Sequence, residues 1–273
     1  MEPTVTVVIP ARNEADNLRE LLPRLSTEHE VLVVDGHSTD ETAHVVRRVR
    51  PDARLITQTR RGKGNALVCG MTAATGDAIV LVDADGSADP GEIPRFVDAL
   101  ADADVATGSR TITGGGSHDL TQFRAAGNRM LTGLANLAVG SRASDLCYGY
   151  NALWRDVLPA LGLPDVDARS PFRLGDGFEI EAFLHCRSTR AGLRVAEVPS
   201  VELARHHGAS NLHSVKDGLR VLAMLLAEGV ERPLGASAPP AQQRPLTPRP
   251  APGRAGTRRA LRRAAHPVVT DVS

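Results

Sequence analysis

Aromatic side chains make up only 3% of the 273 residues. That is too few to offer the successive stacking platforms of a single-stranded nucleic-acid binder, so no nucleic-acid partner is expected. Cysteine is equally sparse. Cys69, Cys147 and Cys186 are far apart, odd in number and without Cys-x-x-Cys spacing, which excludes a disulfide framework or a zinc finger and fits a reducing cytosol. No apolar run approaches the ~18 residues that span a bilayer; the longest candidate runs from Val221 to Ala227. The opening stretch MEPTVTVVIPARNE lacks the basic region, apolar stretch and cleavage site of a signal peptide. A soluble or peripheral, cytoplasmic protein is expected. The formal net charge is zero, but the balance is uneven. Residues 232–273 carry eight Arg and one Asp, a net of +7, which leaves −7 on residues 1–231.

What the chain does have is a 42% hydrophobic content, enough for a real core. Short apolar, β-branched runs alternate with amphipathic ones. TVTVVI (4–9), EVLVV (30–34), residues 54–57, AIVLV (78–82) and residues 104–107 read as strands. Between them, helices are expected over the Leu18, Leu21, Leu22, Leu25 stripe with Asn13 as cap, and over residues 41–50 with Thr39 or Asp40 as cap. Two more are expected from Gly62-Lys63-Gly64 to Ala74 and from Pro90 to about Leu100. This alternation predicts an α/β fold with a mostly parallel sheet flanked by helices. Past Gly108 it stops. Thr113 to Ser117 reads as a mobile loop. Residues 122–139 read as a helix with Phe123, Met130, Leu134 and Leu137 inward, and 147–154 as a strand. A further helix (178–191), a strand (193–199) and a last helix (215–230) follow. From Pro233 onward eight prolines preclude a packed fold. The expected division is one domain over 1–231 and a disordered basic tail over 232–273.

The chain is organised around DAIVLVDADGSADP (77–90). A buried strand there runs straight into Asp83 and Asp85, and open α/β sheets bind ligands at the carboxyl ends of strands. Two acids one residue apart suit a hard divalent ion, Mg2+ or Mn2+, shared with substrate phosphates; a solvated acidic turn is the bland alternative. Asp35 ends the neighbouring strand, either as an acceptor for a base or ribose or as an acid at a helix start. Lys63 between two glycines and Arg110 after Gly108-Ser109 both suit phosphate, or a solvated face. Asp176 is a site acid or a cap for the helix near Phe178. His206-His207 on a strand would point apart, which favours a structural role over metal ligation.

The segments VTVVIPARNE, VVDGHSTDET, GKGNA, VDADGSADP and GSR, in that order and spacing, resemble a family 2 glycosyltransferase of the GT-A fold. DLCYGYNALW, GDGFEIEAFL and EVPSVELARHHGASNL resemble its polyprenyl-phosphate branch, the dolichol-phosphate mannosyltransferase type. The resemblance covers residues 4 to 230 and implies that Pro10, Arg12 and Glu14 line the nucleotide pocket. It likewise implies that Asp35 holds base or ribose, that Asp83 and Asp85 bind the metal, and that Arg110, Arg129 and Arg205 gather around phosphates. Two positions depart from the branch: Ser87 stands where a Gln is common, and Asn211 replaces the Lys of Gly-x-Ser-Lys.

The implied activity is inverting transfer of a hexose from a nucleotide sugar, GDP-mannose or UDP-glucose, to a polyprenyl phosphate. An acceptor phosphate is already anionic and needs only cations to hold it in line, here Arg129 and Arg205. A hydroxyl acceptor on a glycan or small metabolite would need a base, with Asp176 or Glu179 as candidates. A nucleotidyltransferase, which would want a Gly-rich loop after the first strand, and a non-catalytic nucleotide-sugar binder are the more distant alternatives. The last helix, with Val215, Leu219, Leu222 and Leu226 in a stripe, either packs or lies on a membrane beside the basic tail.

Overall fold

The computed structural model describes residues 2–167, 172–208 and 213–230; the basic tail and the Asn211 position lie outside them. Among the described residues, nine strands and seven α-helices follow the expected alternation at the start. They are β1 (Val5–Ala11), α1 (Ala15–Leu21), β2 (Glu30–Asp35), α2 (Thr42–Val49), β3 (Arg54–Thr57), α3 (Lys63–Ala73), β4 (Ala78–Leu81), α4 (Ile93–Ala99) and β5 (Val105–Ser109). The second half holds β6 (Gly116–Ser117), α5 (Gln122–Val139), β7 (Asn151–Trp154), α6 (Ile180–Arg190), β8 (Val195–Pro199), β9 (Val201–Glu202) and α7 (Ser214–Val230).

Seven strands form one sheet in the order β3-β2-β1-β4-β7-β5-β8. All neighbours are parallel except β7, which runs antiparallel to both β4 and β5. The continuous apolar runs of β1, β2 and β4 follow from burial on both faces: Val7, Val8, Ile9, Leu32, Val33, Val34, Ile79 and Val80 have no exposed surface. Leu18, Leu21, Leu22 and Leu25 are buried as their spacing predicts. β1, β2 and β4 are mutually parallel, so their carboxyl ends, carrying Ala11, Asp35 and the Asp83 turn, lie at one edge of the sheet.

Several local expectations are corrected. Asn13 does not cap α1. It adopts φ 56°, and its side-chain oxygen accepts the Thr39 amide at 2.8 Å instead, tying the two loops above the sheet together. Asp40 is the acceptor at the start of α2, taking the Thr42 amide at 3.0 Å. The segment expected as a mobile loop is pinned where Gly116 and Ser117 pair with Val201 and Glu202.

The largest correction concerns α5. Phe123, Met130, Leu134 and Leu137 point outward, Leu137 being 83% exposed. The buried face is the small and polar one, Asn128, Leu131, Thr132 and Ala135. Packing against a polar layer decides the orientation: the Asn128 amide donates to Asp145 at 2.8 Å and the Thr132 hydroxyl accepts the Leu146 amide at 3.2 Å. Hydrogen bonds to otherwise buried acceptors outweigh the burial of the apolar stripe.

Candidate active site

A cleft of about 510 Å³ opens at the carboxyl edge of the sheet. It is lined by Pro10, Arg12, Glu14, Lys63, Asp83 and Asp85 together with the apolar Leu120, Phe123, Met130, Phe178, Val215 and Leu219. Arg110 and Arg205 also line it. Eight of the residues singled out from the sequence therefore share one cavity. Asp35, Arg129 and Asp176 are not in its lining. Asp35 is half-buried at the end of β2, with its carboxylate accepting the Ser38 amide at 3.3 Å. Arg129 is exposed on α5.

The acids of the cleft are held by the chain's own cations. Lys63 Nζ sits 2.8 Å from Asp83 and 2.7 Å from Glu181. Burial pulls this ammonium down, but the charges of Asp83 and then Glu181 override it, and Lys63 stays protonated well above its ordinary range. Burial pushes the Glu181 carboxyl up, against the pull of Lys63. Arg205 bridges Glu14 at 3.1 Å and Asp85 at 3.0 Å. The remaining Asp85 oxygen accepts both the Ser87 hydroxyl, at 2.7 Å, and its amide. Ser87, standing where the branch often has Gln, thus orients the second acid of the pair.

Arg110 is more enclosed than expected. Burial lowers its basicity, but its hydrogen bonding to Asp145 overrides this, aided by the charge of Glu202. Its guanidinium donates to Asp145 at 2.7 and 2.9 Å and to Glu202 at 3.1 Å, and it stacks 4.9 Å from the Tyr148 ring centre. It acts as the rivet that joins the ends of β5 and β9 below α5.

The start of α3 does not wait for a phosphate. Its first amides already donate to the chain: Gly64 N to Gly177 O and Asn65 N to Asp176 O, both at 3.1 Å. The glycines serve this approach, since a Cβ on Gly64 would fall 1.8 Å from the Gly175 oxygen and one on Gly62 2.0 Å from the Asp176 oxygen. Asp176 itself has no exposed surface. Its two oxygens take Arg60 in a fork at 2.8 Å each, and one also accepts the Arg173 amide at 2.7 Å. The adjacent histidines do not point apart. They leave the strand path after β9 and converge on Glu20, His206 at 2.9 Å and His207 at 2.8 Å. Their hydrogen bonds and charges hold Glu20 below the usual carboxylate range. No group of three or more His, Cys, Asp or Glu able to hold a metal occurs among the described residues.

Sequence reasoning passed over four charged lining residues, Asp119, Arg124, Glu202 and Asp217, and left Glu181 ambiguous beside Glu179. Arg124 is one turn before Asn128 on α5, and that spacing alone puts it on the same face; its guanidinium lies 3.2 Å from Asp119. Glu181 lies on α6, whose alternate charged positions gave no means of telling the inner acid from the outer. Cys147, an exposed thiol, lines the same cavity.

A profile of glycosyl transferase family 2 matches residues 6–162, more than half of the chain. The chain belongs to glycosyl transferase family 2. It is similar to undecaprenyl-phosphate mannosyltransferase of Micrococcus luteus, 31% identical over 222 residues, which cover 76% of this chain and 87% of that one. It is also 30% identical over 218 residues to polyprenol monophosphomannose synthase of Mycolicibacterium smegmatis, covering 76% and 80%. Among solved structures it resembles Mycobacterium tuberculosis glucosyl-3-phosphoglycerate synthase in complex with Mn2+, UDP and glucosyl-3-phosphoglycerate. The TM-score is 0.62 at 22% identity, over 83% of this chain and 80% of that one. At that identity the likeness is one of fold, and it confirms the GT-A architecture expected of this family 2 glycosyltransferase. No helix among the described residues is long and apolar enough to cross a membrane.

Proposed function

We propose that this glycosyltransferase moves a hexose from a nucleotide sugar, GDP-mannose or UDP-glucose, to a polyprenyl phosphate at the cytoplasmic face of a membrane. One observation carries the reading: the Asp83–Asp85 turn and an apolar wall belong to a single cleft, with Arg124 and Arg205 among its lining. A soluble sugar acceptor has no use for Phe123, Met130, Val215 and Leu219 beside its phosphate, whereas a lipid phosphate does. The named relatives act on lipid phosphates, which agrees.

The donor set fits a divalent metal. Asp83 and Asp85 offer hard oxygen ligands of the kind that bind Mg2+ or Mn2+ together with substrate phosphates and water. The fold neighbour was crystallised with Mn2+. When bound there, the metal would supply Lewis-acid neutralisation of the departing diphosphate. The chain's own residues do the rest. Pro10, Arg12 and Glu14 at the end of β1, with Asp35 nearby, frame the nucleoside. Lys63 and Arg205, now engaged with carboxylates, are the cations within reach of a diphosphate. In the transfer, an acceptor phosphate oxygen bonds to the anomeric carbon from the side opposite the diphosphate. The bond from that carbon to the donor's phosphate oxygen breaks, the nucleoside diphosphate leaves with the electron pair, and the configuration inverts. The acceptor is anionic at neutral pH, so positioning by Arg124 and Arg205 suffices and no base is required. Arg129, the α5 arginine implied by the resemblance, is replaced in this role by Arg124, which lines the cavity.

A hydroxyl acceptor is the alternative, favoured only by Glu181. This acid lines the cavity, and burial raises its proton affinity toward the range of a base. The deciding experiment offers radiolabelled GDP-mannose and UDP-glucose to undecaprenyl phosphate, with Mg2+ and with EDTA. Metal-dependent lipid labelling is expected. Donor hydrolysis without labelled lipid would refute the acceptor, and labelling that survives EDTA would refute the metal.

A further inference from the structure

Five amide side chains are buried among the described residues: Asn17, Gln58, Asn65, Asn128 and Asn151. Four of them are tied to the chain. Asn17 accepts the His207 amide at 2.9 Å and Asn65 the Arg60 amide at 2.7 Å. Asn128 donates to Asp145 at 2.8 Å and Asn151 to the Tyr148 carbonyl at 3.2 Å. Gln58 is the exception. It is 5% exposed, and its side chain has no hydrogen-bond partner among the described residues. A buried amide carries two donors and a carbonyl oxygen that native chains pair, so one left bare marks a missing partner. Gln58 lines the cleft, and neither its oxygen nor its nitrogen is among the polar atoms sealed in without a partner. The amide therefore opens on the cleft.

Its place comes from the sheet. β3 ends at Thr57, in register with Asp35 at the end of β2, and the Gln58 backbone N–H donates to the Asp35 carbonyl at 3.0 Å. The neighbouring lining residues Ala11, Gly36 and Ala66 are small. Gly36 is required to be, since a Cβ there would fall 2.9 Å from the Arg12 Cβ. A flat ring can approach the backbone at such a place. Arg12, exposed and paired with no acid among the described residues, offers a planar guanidinium to the face of that ring. β3 is separated from β4 by β2 and β1, three strand spacings or about 14 Å. A diphosphate seated at the Asp83–Asp85 turn after β4 would hold its hexose close to that turn. Only the nucleobase, set off by the ribose, reaches as far as Gln58.

From this bare amide beside Asp35 we infer that Gln58 reads the nucleobase of the sugar donor and, with Asp35, selects a keto base, guanine or uracil, over adenine or cytosine. Guanine and uracil present a ring N–H next to a carbonyl. An ionised carboxylate only accepts, so Asp35 takes the ring N–H while the Gln58 amide donates to the carbonyl. Adenine and cytosine present a ring lone pair at the same position, which would face the carboxylate unpaired. A phosphate would call for a cation in place of this neutral amide. The inference rests on the nucleotide-sugar reading for its ligand, but its test needs no acceptor.

The test measures dissociation constants of GDP, UDP, ADP, CDP and inorganic pyrophosphate for the full-length chain by titration calorimetry. The wild type is expected to bind GDP or UDP at least about tenfold more tightly than ADP and CDP, and the tighter of the two names the base. Gln58→Leu should weaken that nucleotide about tenfold, with ADP, CDP and pyrophosphate changed less than about twofold. In transfer assays the loss should fall on the donor KM and not on kcat. Because the substitution removes an unpaired buried amide, Tm should stay at or above the wild-type value, whereas a packing role would lower it. Gln58→Glu keeps the length, loses the N–H donors, and should weaken the keto nucleotide as well. A wild type without preference for keto bases overturns the assignment. So do unchanged binding in Gln58→Leu, an equal loss on all four nucleotides and pyrophosphate, or a loss confined to kcat. Base selection that Gln58→Leu abolishes, with no labelled lipid from any donor, leaves Gln58 as the base reader and refutes the acceptor. Labelled lipid without base selection does the reverse.

Discussion

Replacing Asp176 by Asn separates a structural acid from a catalytic one. In the structure this carboxylate is fully buried, grips Arg60 through both oxygens at 2.8 Å, and takes the Arg173 amide. Those bonds raise Arg60 further above its already high range. Asn keeps the shape but returns only one acceptor oxygen, and it leaves the guanidinium, 5% exposed, without its counter-charge. Removing one partner of a buried pair costs about 3 kcal/mol or more. For a domain of this size that corresponds to a fall of roughly 6–12 °C in Tm. The tie also holds the 175–177 loop over the start of α3, so Lys63 loses its setting and transfer falls as a consequence. The assay is calorimetric Tm beside initial rates, with the double substitution Arg60→Met/Asp176→Leu. That pair removes both charges and should recover much of the lost stability. A Tm within one or two degrees of wild type, together with a loss of transfer beyond about a hundredfold, would refute the structural account. It would return Asp176 to the role of base for a hydroxyl acceptor.

Two further outcomes test the fold that supports the site. Gly64→Ala places a methyl 1.8 Å from the Gly175 oxygen, and backbone must move; a loss of about 3 kcal/mol in urea unfolding is expected. Glu30 accepts from Thr6, Arg54 and both the amide and the hydroxyl of Thr75. Burial raises it, but these bonds, Thr6's first, bring its pKa down to about 2 from 4.5. A depressed folded value means stability that is fully present above pH 4.5 and is lost as the pH falls toward 2. Glu30→Gln should therefore cost about 1–2 kcal/mol at pH 7, and its deficit should shrink when the same denaturation is run at pH 3.

The parallel half of the fold was legible because its signal is redundant. β1, β2 and β4 are apolar on both faces, stop within two residues of Pro10, Asp35 and Asp83, and alternate with Leu-spaced helices, so pattern, punctuation and burial agree. The placement of Asp83 and Asp85 in the cleft was legible for the same reason, since they sit just past the end of β4. What failed was any inference that needed the partner surface. Asp176 and Glu181 look alike in GDGFEIE, yet one is sealed by Arg60, 116 residues away in sequence, and the other faces Lys63. Asn13 and the two histidines have partners in distant loops, and no local spacing encodes Thr39 or Glu20 as those partners. For α5 the binary pattern predicted the wrong face. The rule that apolar side chains turn inward presumes a helix with water outside and protein within. A helix whose inner neighbour is the polar Asp145 layer turns its polar face inward and leaves the apolar stripe outside.

The charge of the cleft yields a last prediction. Its lining holds seven carboxylates and five cationic side chains, a net of −2. A nucleotide sugar brings a diphosphate of about −2, so it cannot enter favourably on the chain's own charges. Lys63 and Arg205 must turn from carboxylate to phosphate, and Asp83 and Asp85 then need another cation. Under the proposed function, one divalent ion would supply the missing charge at the place where the acids stand. Lys63 would then compete with the metal for Asp83 in the free enzyme and cooperate with it once donor is bound. Lys63→Met removes the competitor, now 2.8 Å from Asp83. Even after screening at this partly buried site, one unit charge at that range is worth more than 1.4 kcal/mol, or about tenfold. Mn2+ affinity without donor, read by paramagnetic resonance, should rise about tenfold, while donor affinity falls. Mn2+ binding that is unchanged or weaker in Lys63→Met would mean that the ammonium and the metal occupy different places, and the exchange of partners proposed for the diphosphate would fall with it.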